Sequence, residues 1–300
     1  MKALVKRLGA RIIRHDIVWQ WVKGTLVKGG RYLERERRGY EEARRRLPEQ
    51  LVVDEAIAKL CPDLMVRHGV FQGMKYPQVK SVCSALFPKL LGSYERELQP
   101  VLERICEQGY RDIVNVGCAE GYYAVGLARR IPDARVHAFD INPEAIALCR
   151  EMAKLNRVDE RVNTGAFCDA GVLQGIPFAG KALIVCDCEG YEKKLFTTET
   201  VKFLAAHDVL VEVHDGVDIT ISTYIQSLFE PTHQIERIES LDDIKKARTY
   251  AYPELEPYDL ATRKILVGEG RPHIMEWLFI QSRQPPAAPP LPPKQALGAG

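Results

Sequence analysis

Val114-Asn115-Val116-Gly117-Cys118-Ala119-Glu120-Gly121-Tyr122 reads as a buried strand that enters a tight turn and leaves it as a helix. Glycine at 117 and 121 permits positive φ and lets a ligand lie against bare backbone. The helix start beyond offers free N–H groups. Many α/β proteins carry such a turn, so its spacing decides between them. A dinucleotide-binding dehydrogenase needs Gly-x-Gly-x-x-Gly to bring a helix end against a pyrophosphate. Here the glycines are Gly117, Gly121 and Gly126, and no phosphate-gripping lysine follows. The turn suits a ligand without phosphates better.

Downstream, apolar runs at Ile113–Val116, Val136–Phe139, Ala182–Cys186 and Val209–Val213 alternate with helix patterns. Each run is apolar at nearly every position, as parallel strands covered on both faces should be. Asn142-Pro143-Glu144 is a helix start, with Asn as cap, Pro at the first position and an acid in the first turn. The pattern is a doubly wound α/β fold. Asp140 ends the second strand, 23 residues after Gly117, where a carboxylate can accept both hydroxyls of a ribose. Gly165-Ala166-Phe167-Cys168-Asp169 closes the third strand, and Asp169 reads equally as an adenine contact or a turn acid.

The most distinctive block is Leu183-Ile184-Val185-Cys186-Asp187-Cys188-Glu189-Gly190-Tyr191-Glu192, acids directly after an apolar strand. The next strand ends Val211-Glu212-Val213-His214-Asp215, and period-two alternation puts Glu212 and His214 on one face. Asp187, Glu189, Glu212, His214 and Asp215 should therefore converge on one edge. Clustered acids raise one another's pKa, and a buried histidine can take a proton near neutral pH. That makes a general base or a site for a divalent metal ion. Glu192 reads equally well as a helix-capping acid.

The turn Asn115–Gly121, Asp140, Asp169 and the block Asp187-x-Glu189-Gly190-x-Glu192 resemble the class I S-adenosylmethionine-dependent methyltransferases, specifically the FkbM-like branch, over about residues 111–281. The resemblance implies a Rossmann-like, mostly parallel seven-stranded sheet and S-adenosylmethionine as cofactor. It also implies methyl transfer to a hydroxyl of a sugar, glycan or natural product. It places Asn115, Gly117, Cys118, Ala119, Glu120, Gly121, Asp140, Ile141 and Asp169 around the cofactor. Asp187 and Glu189 would border the transfer site, and His214 or one of these two acids would serve as the base. Two positions depart from the pattern: Asn115 stands where an acid is usual, and Ala119 replaces the middle glycine. The Asn/Asp-Pro-Pro-Tyr/Phe block of enzymes that methylate base or glutamine nitrogens is absent, which favours an oxygen acceptor.

The rest of the chain bounds this reading. Residues 1–50 carry 14 Lys/Arg against 6 Asp/Glu and form a basic helical arm, with helices expected over 2–26 and 31–46. Residues 51–110 read as a helical cover interrupted at Phe71–Pro77, with a helix from about Tyr94 to Gln108. The catalytic domain is expected over 111–282. It includes an inserted cover at 240–272, where Tyr250, Tyr252, Tyr258 and Arg263 are pocket candidates, and a late strand at His273–Ile280. The proline-rich tail at 283–300 should be disordered. Gly92-Ser93-Tyr94-Glu95 and Arg271-Pro272 are further candidates for shaping the site. Eight scattered cysteines without a Cys-x-x-Cys pair, and no apolar span or signal peptide, point to a reduced cytoplasmic protein.

The arm leaves peripheral membrane contact through residues 1–46 or a homo-oligomer open. Nucleic acid is disfavoured because the body is acidic and lacks a recognition motif. Two competing readings stand beside methyl transfer: a nicotinamide-dependent dehydrogenase, and a non-catalytic cofactor-binding scaffold recruited by the basic arm.

Overall fold

A computed structural model describes Gly30 and residues 48–284, and the chain divides into two compact units, Met1–Asp54 and Glu55–Gly300. The helices expected at 2–26 and 31–46, and the tail from 285, lie outside the described residues.

The second unit holds a seven-stranded sheet: β1 Asp112–Val116, β2 Arg135–Phe139, β3 Val162–Gly165, β4 Ala182–Cys186, β5 Asp208–Val213, β6 His233–Glu239 and β7 Glu276–Ser282. Its order is β3-β2-β1-β4-β5-β7-β6. The first five strands run parallel, and β7 enters antiparallel between β5 and β6. This is a Rossmann-like α/β architecture. The central strands β1, β4 and β5 are buried at every position, which explains their uninterrupted apolar runs. Their lower face packs Val114, Ile184, Val209 and Val211 against Phe196, Ile225 and Phe229.

Register sets the position of the site. Val116 pairs with both Phe139 and Cys186, so β1, β2 and β4 end flush and release Gly117, Asp140 and Asp187 at one level. Cys186 pairs with Val211, so Glu212 and Val213 of β5 continue past the end of β4 and His214 follows them. The crevice above β1 and β4, where strand order reverses direction, is where doubly wound folds bind ligands.

Helices cover the sheet: α1 Leu86–Leu91, α2 Gln99–Glu107, α3 Tyr122–Arg130, α4 Pro143–Leu155, α5 Ala170–Gln174, α6 Glu192–Leu195, α7 Thr198–Phe203, α8 Ile221–Phe229, α9 Asp243–Thr249 and α10 Leu260–Val267. The start of α4 forms as its sequence dictates: Pro143 opens it and the Asn142 side chain accepts the Glu144 N–H. None of the described helices is long and apolar enough to cross a membrane.

Three local expectations differ. Residues 61–85 are not helical; they fold into an irregular loop closed by a Met65–Lys75 bridge, with Gly69 and Gly73 at positive φ. Val70, Phe71 and Met74 of that loop are buried, the Phe71 ring against Gly126, Tyr122 and Tyr123 of α3. The helix expected from Tyr94 starts at Gln99, after a short 3-10 turn, Arg96–Leu98, that Glu95 enters in the left-handed region. The late strand begins at Glu276, and His273 and Met275 instead reach the cavity described below.

Candidate active site

Two cavities open at the C-terminal ends of the strands. The first, about 380 Å³, is walled by Gly117, Cys118, Ala119, Asp140 and Ile141 on one side and Phe167 and Tyr191 on another. The second, about 320 Å³, is walled by Asp187, Glu189, Glu212, His214, Arg271 and His273. They share Cys83, Ser84, Tyr94, Asp187 and Glu189. A ligand in one is thus in reach of a ligand in the other.

The turn after β1 is shaped by close packing as much as by ligand access. A Cβ on Gly117 would run into the Asp187 carbonyl oxygen, and the residue has φ +77°. Gly121 (φ +101°) backs onto Cys149, and mid-helix Gly126 packs against the Phe71 ring. Neither Gly121 nor Gly126 lines the first cavity. Asp140 does, and it organises the wall: Oδ2 accepts the Ala119 N–H at 2.9 Å and Oδ1 the Asn142 N–H at 2.8 Å. Each oxygen keeps a lone pair, so the carboxylate can still accept two hydroxyls.

Other sequence candidates stand elsewhere. Asn115 is buried in the sheet, its amide donating to the Val185 carbonyl. Glu120 is buried beneath the turn and pairs with Lys89 at 2.6 Å. Burial would raise its pKa, but Lys89 overrides this and holds the carboxylate below the usual range. Asp169 caps α5, accepting the Val172 N–H, while its neighbours Ala166, Phe167 and Cys168 form the wall. Asp215 turns away and accepts from Ser222 at the start of α8. In the insert, Tyr250 and Tyr252 are buried under Arg96, and Arg263 donates to the Leu255 and Tyr258 carbonyls.

The second cavity brings together what the strand ends promised. His214 Nε2 lies 3.5 Å from Asp187, 3.6 Å from Glu189 and 3.9 Å from Glu212. Its Nδ1 is 2.6 Å from Glu192. Burial would lower the His214 pKa, but the Glu192 hydrogen bond and the charges of Asp187 and Glu212 raise it to about 9. Burial and the Glu95 charge push Asp187 up to about 6. Burial and Asp187 push Glu212 to about 7, against the pull of Arg271. Arg271 is gripped by three carboxylates, Glu95, Glu212 and Glu269. The sequence offers Arg271 as a candidate for shaping the site, but two of the carboxylates that fix it, Glu212 and Glu95, lie 59 and 176 residues away.

Backbone strain collects here as well. Of the six non-glycine residues with positive φ among those described, Cys83, Ala119 and Glu189 line the cavities and Glu95 holds Arg271. Such residues persist where the surroundings over-determine them, commonly at ligand sites.

Asp187, Glu212 and His214 each offer one donor atom within 4.8 Å of the others, the arrangement a divalent ion would need. Arg271 meets Glu212 at Oε1, which leaves Oε2 on the His214 side.

Residues 113–188, from β1 to the turn after β4, match the model of a family described as a methyltransferase domain. The chain is 35% identical over 60 residues to the release factor glutamine methyltransferase of Dictyoglomus turgidum, covering 20% of this chain and 21% of that one. It is 43% identical over 49 residues to the protein of the same name from Synechocystis sp., covering 16% of each. The chain therefore spans about a fifth of the length of the curated relatives it matches. Among solved structures it is similar to an O-methyltransferase from Bacillus cereus in complex with SAH, at 12% identity and TM-score 0.43, covering 62% of this chain and 81% of that one. A putative O-methyltransferase from Klebsiella pneumoniae is similar at 13% identity and TM-score 0.43, covering 77% and 90%.

Proposed function

We propose that this chain is an S-adenosylmethionine-dependent O-methyltransferase of the FkbM-like type, acting on a hydroxyl of a sugar, glycan or natural product. One observation carries the reading: a cavity walled by Ala119 and Asp140 shares Asp187 and Glu189 with an acidic second cavity. The first suits a nucleoside, because its aromatic walls (Phe139, Phe167, Tyr191) offer a surface for a base and Asp140 has lone pairs for a ribose diol. Bound there, S-adenosylmethionine supplies a methyl group activated on a sulfonium leaving group.

The remaining work is alignment and proton removal by this chain's own residues. The geometry together with the pKa order supports Asp187 as the proton acceptor. At neutral pH His214 (about 9) is an imidazolium and Asp187 (about 6) a carboxylate. Asp187 therefore takes the acceptor's hydroxyl proton, and His214 holds that carboxylate in place from 3.5 Å. Glu189, three-quarters exposed at the junction, steadies the acceptor from the mouth.

Transfer of radiolabelled methyl groups from S-adenosylmethionine to a panel of hydroxylated sugars and glycans tests the reading. Label on a hydroxyl in the wild type, and none in Asp187→Asn that still binds cofactor, is the expected result. Label on nitrogen, or full turnover in Asp187→Asn, overturns the oxygen or the base assignment respectively.

A further inference from the structure

Glu192 opens α6, and its carboxylate reaches beyond that helix. The residue before it, Tyr191, makes no side-chain cap, and Glu192 Oε1 instead accepts the Gly190 N–H at 3.1 Å. The same oxygen stands 2.6 Å from Nδ1 of His214. Glu192 has no exposed side-chain surface, and His214 has almost none. An ionised carboxylate so deeply buried is costly unless paired. Here one partner is the amide of Gly190, which follows Glu189 in a turn where both residues have positive φ, and the other is the imidazole at the end of β5.

We infer that Glu192 is a positioning residue. It holds the Nδ1–H of His214, so that Nε2 is the ring nitrogen turned toward Asp187, Glu189 and Glu212, and it ties the Glu189–Gly190 turn to that ring. The role in turnover rests on the methyl-transfer reading above; the Glu192–His214 pair does not.

The groups facing His214 come from four elements: Asp187 and Glu189 from the turn after β4, Glu192 from α6, Glu212 from β5, and Arg271 before β7, which reaches Glu212. His273 lines the same cavity. The two partners shift in a mutually consistent way. Burial opposes the charge on each, yet the bond between them raises His214 and lowers Glu192. A carboxylate behind Nδ1 fixes both tautomer and ring orientation, as in other histidine-dependent sites. Without it the imidazole could flip and offer Asp187 the wrong nitrogen.

Ring-nitrogen NMR of the full-length, ¹⁵N-labelled protein tests the pair without any acceptor, with His214→Asn assigning the resonance. In the wild type, His214 is expected to titrate near 9 and, once neutral, to keep its proton on Nδ1. In Glu192→Gln its titration should fall by about one pH unit or more. With an acceptor in hand, kcat should fall about tenfold or more while S-adenosylmethionine affinity holds, and Glu192→Asp should restore part of the loss. A wild-type His214 titrating at or below its ordinary value, or neutral with its proton on Nε2, overturns the inference even if every variant fails to fold. So does an unchanged titration in folded Glu192→Gln. Loss of methyl transfer in a wild type whose ring titrates as expected would refute the functional reading and leave the pair standing.

Discussion

The two ends of the same sheet handle buried acids in opposite ways. At the N-terminal edge, Asp112 and Asp208 are fully buried, and every oxygen is engaged. Asp112 accepts from Arg135 and the Ala179 N–H, and Asp208 from Tyr110, Lys181 and the Ser282 N–H. At the C-terminal edge Asp187 Oδ1 makes no hydrogen bond, and six carboxylates share His214 and Arg271. Both edges bury carboxylates, and β5 contributes to each, through Asp208 and Glu212. What differs is that one edge is closed by ordinary structural donors, while the other keeps unmet acceptor capacity and like charges at close quarters. That is costly for folding and useful for binding and proton transfer.

The largest expected effect is at the cation that holds the upper edge together. Arg271→Met leaves Glu95, Glu212 and Glu269 buried without their shared partner and should cost about 3–5 kcal/mol in urea denaturation. Asp208→Ala at the lower edge strands Tyr110 and Lys181 and should cost about 2–3 kcal/mol without changing cofactor affinity. A loss of cofactor binding there would erase the distinction between the edges.

Asp187→Asn should move stability the other way. Removing a carboxylate crowded by Glu95 and Glu189 should raise stability by on the order of 1–2 kcal/mol, while turnover drops by about a hundredfold or more. The pH dependence follows the same sign. The folded-state pKa of Asp187 is raised from 3.8 to about 6, so the fold binds that proton more tightly than the unfolded chain does. Its contribution is best at low pH and is lost as pH rises through that window. His214, raised from 6.5 to about 9, contributes stability that is full below 6.5 and lost as pH rises through 9. Thermal melts across pH should show the first decline vanish in Asp187→Asn. The smallest effect is at Glu189, held at φ +53°: Glu189→Gly should relieve roughly 0.5 kcal/mol of strain in the same melts.

How much of this was legible depended on whether the cause was local. The strands β1, β4 and β5 announce themselves because burial on both faces demands apolar residues throughout. Asn142-Pro143-Glu144 forms the helix start that its residue chemistry requires. Strand β6, His-Gln-Ile-Glu-Arg-Ile-Glu, escaped because an edge strand with most positions exposed shows no apolar run. Residues 61–85 escaped because their apolar side chains are buried by long-range contacts, as the Phe71 ring is against α3. At the site, period-two alternation placed Glu212 and His214 together, and the strand-end position placed Asp187 beside them. Asp169 and Asp215 also follow strand ends, yet local donors captured them, Asp169 as the cap of α5 and Asp215 through the Ser222 N–H and hydroxyl. Nothing local distinguishes a carboxylate that will cap from one that will face a cavity. Arg271 and Glu192 depend on partners distant in the chain, so their roles emerge only from the fold.

Isothermal calorimetry of the full chain with S-adenosylmethionine, alongside NAD, tests the central claim most directly. Saturable heat in the micromolar range with the first, weakened about tenfold or more in Asp140→Ala, and none with the second, is the predicted result. Folded protein that gives no heat with S-adenosylmethionine at millimolar concentration, or that binds NAD instead, would contradict it.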